Sequence, residues 1–107
     1  AGVRLVLGSD APVSPLDPWL AMAAAIHRSG DERDPWHPEQ ALTAREALAA
    51  SVDEQPMVGV GSRGDRALLD HDPLVVAGDS AQTAHTLRGM QVALTVVAGR
   101  IAHRAGV

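Results

Sequence analysis

At 107 residues and 46% apolar, the chain buries one domain's core at most, built from Ala, Val and Leu, since it has two Trp and neither Phe nor Tyr. A net charge of −4, with all nine basic residues Arg, excludes a nucleic-acid surface, and no stretch reaches the roughly 20 apolar residues of a membrane span. Without Cys there is no disulfide or thiolate metal site, which fits a cytoplasmic setting, and the opening residues lack the pattern of a signal peptide.

Val3 to Leu7 is aliphatic and β-branched, and Gly8 interrupts it, so the spacing predicts a strand ending at Gly8 with Asp10 just beyond. Opening directly on a strand suggests a piece of something longer. Asp17 then reads as an N-cap and Pro18 as a first helical residue, which has no N–H to leave unsatisfied. The helix is expected from Pro18 to Ser29, with Trp19, Met22, Ala23 and Ile26 forming one apolar stripe and Gly30 as its stop. Asp31 to Gln40, with Pro35 and Pro38, reads as a surface loop.

Thr43 and Glu46 form a capping box, which predicts a second helix to about Ser51 with Ala44, Ala47 and Leu48 inward. Val52 to Gly64 is loop, and the domain boundary falls within it, giving parts 1–56 and 57–107. Beyond it the reading is all strand: Asp65 to Leu69, Leu74 to Val76, Gln91 to Ala98 and Arg100 to His103, with Ala98-Gly99 as a hairpin turn. The alternation of Val92, Leu94 and Val96 with Gln91, Ala93 and Thr95 implies one buried and one half-wet face. Two helices followed by a small sheet make an α+β chain.

Asp10 is the first candidate for chemistry. A carboxylate at a strand end can ligate a metal or move a proton, and Asp before a turn can equally serve as a cap. Both readings stand on spacing alone. A catalytic metal needs about three protein ligands, and His27, His37, His71, His85 and His103 are scattered without His-x-His or helical i, i+4 spacing. His27 reads as a helix C-terminal residue favoured by the dipole, His37 and His71 as solvated, and His85 and His103 as lying near strand ends. Asp70-His71-Asp72-Pro73 could hold a cation but reads more readily as a turn. Gly59 to Gly64 lacks the strand, helix and Lys-Ser/Thr pair of a phosphate loop, and there is no Gly-x-Ser-x-Gly elbow.

Four groups of residues carry a resemblance in chain order. They are Gly8-Ser9-Asp10-Ala11-Pro12-Val13 with Pro15-Leu16-Asp17-Pro18-Trp19; Leu42-Thr43 with Glu46-Ala47-Leu48; Gly61 to Asp70 with Asp72-Pro73-Leu74; and Val92 to Val97 with Ala98-Gly99-Arg100-Ile101. Together they resemble the C-terminal part of the amidohydrolase superfamily, in amidohydrolase family 3, the branch related to N-substituted formamide deformylases. The chain departs from that pattern in a shortened connection over Asp53 to Gly61 and in Arg66, where the family tends to carry an apolar residue.

The resemblance implies that 1–56 is the last strand and helices of a TIM barrel, and 57–107 part of a small β-sandwich. It implies a complete enzyme that hydrolyses carbon-nitrogen bonds other than peptide bonds in a small amide-type substrate, with a divalent metal, expected to be zinc. Asp10 alone matches one of the family's metal ligands, with an implied catalytic role in passing a proton from the attacking water to the leaving nitrogen. The other ligands are absent, so the chain by itself is expected to be inactive and metal-free. Asp65 and Asp70 read as structural. A strand without its neighbours should self-associate, so a homo-oligomer through exposed strand edges is expected. The competing reading is a non-catalytic small α+β interaction or oligomerisation module.

Overall fold

The computed structural model describes residues 3–29, 33–52, 58–74 and 79–105. It is an α+β chain, in the order α1 (Pro18–His27), a short 3-10 turn (Pro38–Gln40), α2 (Ala44–Ser51), β1 (Arg66–Leu69), α3 (Ser80–Arg88), β2 (Val92–Val97) and β3 (Arg100–Arg104). It divides into two compact units: Ala1–Pro56 with Pro73–Gly89, which holds the helices, and Met57–Asp72 with Met90–Val107, which holds the sheet.

In the helical unit, the Asp17 carboxylate accepts from the Trp19 N–H at 2.9 Å and Pro18 opens α1, as the capping chemistry requires. The helix closes on Arg28 in the left-handed region, φ 61°, rather than on a glycine. Gly30, expected as the stop, lies outside the described residues. Arg28 is held there by its backbone N–H on the Ala24 carbonyl and by its side chain, which donates to the Trp36 carbonyl and lies 5.7 Å from the Trp36 ring centroid. The capping box of α2 is complete, with the Thr43 hydroxyl accepting from the Glu46 N–H and the Glu46 carboxylate accepting from the Thr43 N–H.

Helix α1 packs against both α2 and α3. Ala23, Ala47 and Ala84, one on each helix, are fully buried, and small side chains there let the helices approach closely. Met22 and Leu87 are the largest fully buried side chains, with Ile26 and Leu48 beside them in the core.

Two departures from the sequence-based expectation fall in the helical unit, Ala1–Pro56 with Pro73–Gly89. The first is α3, which falls where no element was expected, so the order is not two helices followed by a sheet. Asp79 caps α3 by accepting from the Gln82 N–H at 3.0 Å, and Thr83, Ala84 and Leu87 form its buried edge. The second is Val3 to Leu7, which forms no strand. A strand exists by pairing, and the backbone bond that anchors this segment runs from the Leu7 N–H to the Ala50 carbonyl, 3.0 Å, at the end of α2 rather than to a neighbouring strand. Val3 and Val6 are mostly exposed.

The sheet is an antiparallel meander, β1-β2-β3. Arg66 pairs with Val96 and Leu68 with Leu94, and the hairpin pairs Val97 with Arg100 through Ala98-Gly99, at φ 51° and 78°. Two left-handed residues in succession give the turn whose twist matches antiparallel strands. Bulges fall between Leu68 and Leu69 and between Thr95 and Val96. All of β2 except Val97 is half-buried, so the alternation of its sequence does not become one buried and one wet face. Of the expected strand Leu74 to Val76, Leu74 lies in a turn and the rest is outside the described residues.

Both ends of β1 are tied to β2 by aspartates. The Asp65 carboxylate accepts from the Ala98 N–H at 2.9 Å, and Asp70 exchanges two bonds with Gln91, each 3.1 Å. Their structural reading is thereby given its partners. Gly64 lies so close to the hairpin that a Cβ would stand 2.8 Å from the Gly99 nitrogen, so this position admits no side chain.

Candidate functional site

Asp10 opens a turn, residues 10 to 13, in which its own carbonyl accepts from the Val13 N–H at 2.9 Å. Its φ of 52° is a conformation that Asp tolerates better than most residues. The carboxylate takes no part in closing that turn. Asp17, Asp65, Asp70 and Asp79 each accept a hydrogen bond from a backbone N–H, whereas the exposed Asp10 side chain has no hydrogen-bond partner among the described residues. Asp10 therefore makes its turn with backbone alone and leaves its carboxylate available.

Next to it the helical unit forms a half-open cavity of about 240 Å³. Leu7, Gly8 and Ser9 line it from the segment before Asp10, and Leu16, Pro18 and Ala21 from the start of α1, with Asp17 and Ser51 completing the wall. Two of its polar groups are already engaged: the Asp17 carboxylate with the Trp19 N–H, and the Ser51 hydroxyl, which donates to the Ala47 carbonyl at 2.8 Å. Sequence reasoning did not find this cavity, because its walls come from three separate segments and no spacing links them.

The histidines are dispersed. His27 is buried, with Nε2 3.0 Å from the Arg33 carbonyl and Nδ1 3.0 Å from the Ser80 hydroxyl. A carbonyl only accepts, so Nε2 carries the proton. His27 thus bridges α1, α3 and the loop that follows α1, a stronger structural role than a dipole contact. His85 lies within α3, not near a strand end as expected. His103 stands on β3 with Nε2 3.2 Å from the Val92 carbonyl.

His37 pairs with Glu39 at 2.9 Å and His71 with Asp70 at 3.0 Å, all of them on the surface. The Glu39 backbone N–H, and then His37, hold the Glu39 carboxyl below its usual range. Asp70 is likewise held low, first by the Gln91 N–H and then by His71. His71 turns to the Asp70 carboxylate because the chain bends there and strand alternation ends.

Among the described residues no group of three or more His, Asp or Glu could hold a metal ion. Asp10 offers one ligand, and a catalytic zinc takes three from the protein. The residues of this chain alone do not fit a metal centre. Nor is any helix among the described residues long and apolar enough to cross a membrane.

Comparison with known proteins agrees with the resemblance. The chain is 32% identical, over an alignment of 109 residues, to the N-substituted formamide deformylase of Arthrobacter pascens. The alignment takes in 92% of this chain and 19% of that relative, so the chain spans about a fifth of the relative's length. The resemblance to the N-substituted formamide deformylase branch is thereby borne out. No family model matches the chain, and no solved structure matches it significantly.

Proposed function

We propose that this chain is the C-terminal portion of a metal-dependent hydrolase of carbon-nitrogen bonds other than peptide bonds, acting in the cytoplasm. The observation that carries this reading is the 32% identity to a deformylase across 92% of the chain. In it, 1–56 supplies the last strand and the following helices of a TIM barrel, and 57–107 supplies strands of a small β-sandwich. Helix α3 interrupts that second part and packs on α1. In this reading Val3 to Leu7, which has no strand partner among the described residues, becomes the last barrel strand when neighbours from other segments of the protein pair with it.

Asp10 is the carboxylate that this portion contributes as metal ligand and proton carrier. Support for that role comes from its free side chain, while four other aspartates are occupied in capping and stapling. The other ligands of the divalent metal, zinc in this reading, come from outside the chain. Its substrate is an amide of the N-substituted formamide type, the class named for the relative.

The test is formate release from a simple N-alkylformamide by the complete polypeptide that contains this chain. Turnover that is lost on chelation and restored by zinc upholds the reading. A complete polypeptide that takes up no metal and turns over no formamide refutes it, and leaves the chain as a non-catalytic α+β module.

A further inference from the structure

We propose that the cavity beside Gly8 receives the apolar N-substituent of the substrate amide, and that Gly8 and Ala21 set the largest group it admits. This assignment rests on the hydrolase function proposed above and extends it to the shape of the substrate.

The cavity has the size and lining for such a group. Its volume is about 240 Å³, and an apolar cavity of about 150 Å³ already takes a benzene molecule. Leu7, Leu16, Pro18 and Ala21 supply apolar wall. The Asp17 carboxylate and the Ser51 hydroxyl on that wall have protein partners, so they do not call for a polar occupant.

The cavity also has the right place. Gly8 lies on it and is two residues from Asp10, so their Cα atoms are at most about 7 Å apart. That is within the span of one small amide, from the carbonyl carbon at the acid to the end of its nitrogen substituent. The segment is anchored on both sides, at Leu7 by the Ala50 carbonyl and at Asp10 by the Val13 N–H.

Among the described residues nothing calls for glycine at position 8. Its φ lies outside the left-handed region, and a Cβ built on it would meet nothing within 4 Å. Glycine carries an entropic cost, and among the described residues neither backbone geometry nor packing demands it.

The experiment compares kcat/KM for N-methylformamide and N-cyclohexylformamide in the complete enzyme and in its Gly8→Val and Ala21→Phe variants. The cleft is about half open, so burying a group of that size there is worth about 5-fold. The cyclohexyl-to-methyl ratio is therefore expected to fall about 5-fold in either variant; Gly8→Val meets open space and serves if Ala21→Phe does not fold. A ratio unchanged in the folded variants overturns the assignment. Asp10→Asn, assayed in parallel, reports separately on the hydrolase reading, since it removes turnover of both amides. If the complete enzyme turns over neither amide, the cavity is read by methyl NMR of Leu7 and Leu16 during titration with N-cyclohexylformamide. Saturable shifts that disappear in Gly8→Val uphold the cavity's role as a binding site, and no shifts in the parent protein overturn it.

Discussion

Replacing His27 by Ala should cost this chain about 3 kcal/mol, most of the stability a unit this size has to lose. The imidazole is 5% exposed and makes two hydrogen bonds of 3.0 Å, to the Arg33 carbonyl and the Ser80 hydroxyl. At about 1 kcal/mol each the bonds account for about 2 kcal/mol, and the lost packing of the ring adds about 1. Domains of about 100 residues are stable by about 5–15 kcal/mol, and a core made largely of alanine places this one at the lower end. Ser80 is exposed and re-solvates easily, so Ser80→Ala should cost only about 1 kcal/mol. Because the two residues share one bond, the double variant should be less destabilised than the sum by about 1 kcal/mol. Urea unfolding followed by far-ultraviolet circular dichroism measures all three. A His27→Ala cost within the range of ordinary surface substitutions, or strict additivity with Ser80→Ala, would refute the view that this imidazole joins α1, α3 and the loop after α1.

Other parts of the chain lead to three further expected outcomes. Gly64→Ala puts a methyl 2.8 Å from the Gly99 nitrogen and should destabilise the sheet by about 1–3 kcal/mol, seen as loss of hydrogen-exchange protection on β2 and β3; unchanged protection would show that the hairpin shifts freely. The Thr43 N–H, and then the Thr43 hydroxyl, hold the Glu46 carboxyl below its ordinary value of 4.5. A carboxyl lowered on folding stabilises above that ordinary value and ceases to do so as pH falls through the native one. Stability should therefore drop below about pH 4.5, and Glu46→Gln should flatten that part of the profile; identical acid profiles for the two proteins would count against the cap. Finally, Val3, Leu5 and Val6 are exposed in a segment without a strand ladder, so the isolated chain should self-associate in sedimentation velocity. Leu5→Lys should shift it toward monomer, and a parent chain that stays monomeric at high concentration would disprove this.

Local chemistry made part of the fold legible before any coordinates. Asp17-Pro18 and the Thr43/Glu46 box fix the starts of α1 and α2 through bonds formed within three residues, and Ala98-Gly99 fixes the hairpin in the same way. Helix α3 escaped because its sequence is polar and threonine-rich, with only Ala84 and Leu87 as apolar buried residues. Its signal was an Asp79 cap three residues before Gln82, which is the same cue that revealed α2. Val3 to Leu7 failed for the opposite reason. Its composition favours a strand, but a strand's backbone bonds are supplied by neighbours, and composition does not report whether they are present. At the candidate site the sequence pointed to Asp10 without separating cap from free acid. That distinction needed the hydrogen bonds, which show the turn closed by the Asp10 carbonyl.

The role of Asp10 is tested most directly by formate release from an N-alkylformamide in the complete polypeptide, comparing Asp10→Asn with Asp65→Asn. Asp65 staples the hairpin through the Ala98 N–H, so its variant should lose stability yet still turn over substrate, whereas Asp10→Asn should fold normally and lose at least about 1000-fold in kcat, the scale of removing a group that acts in the transition state. Full activity in a folded Asp10→Asn protein would contradict the account.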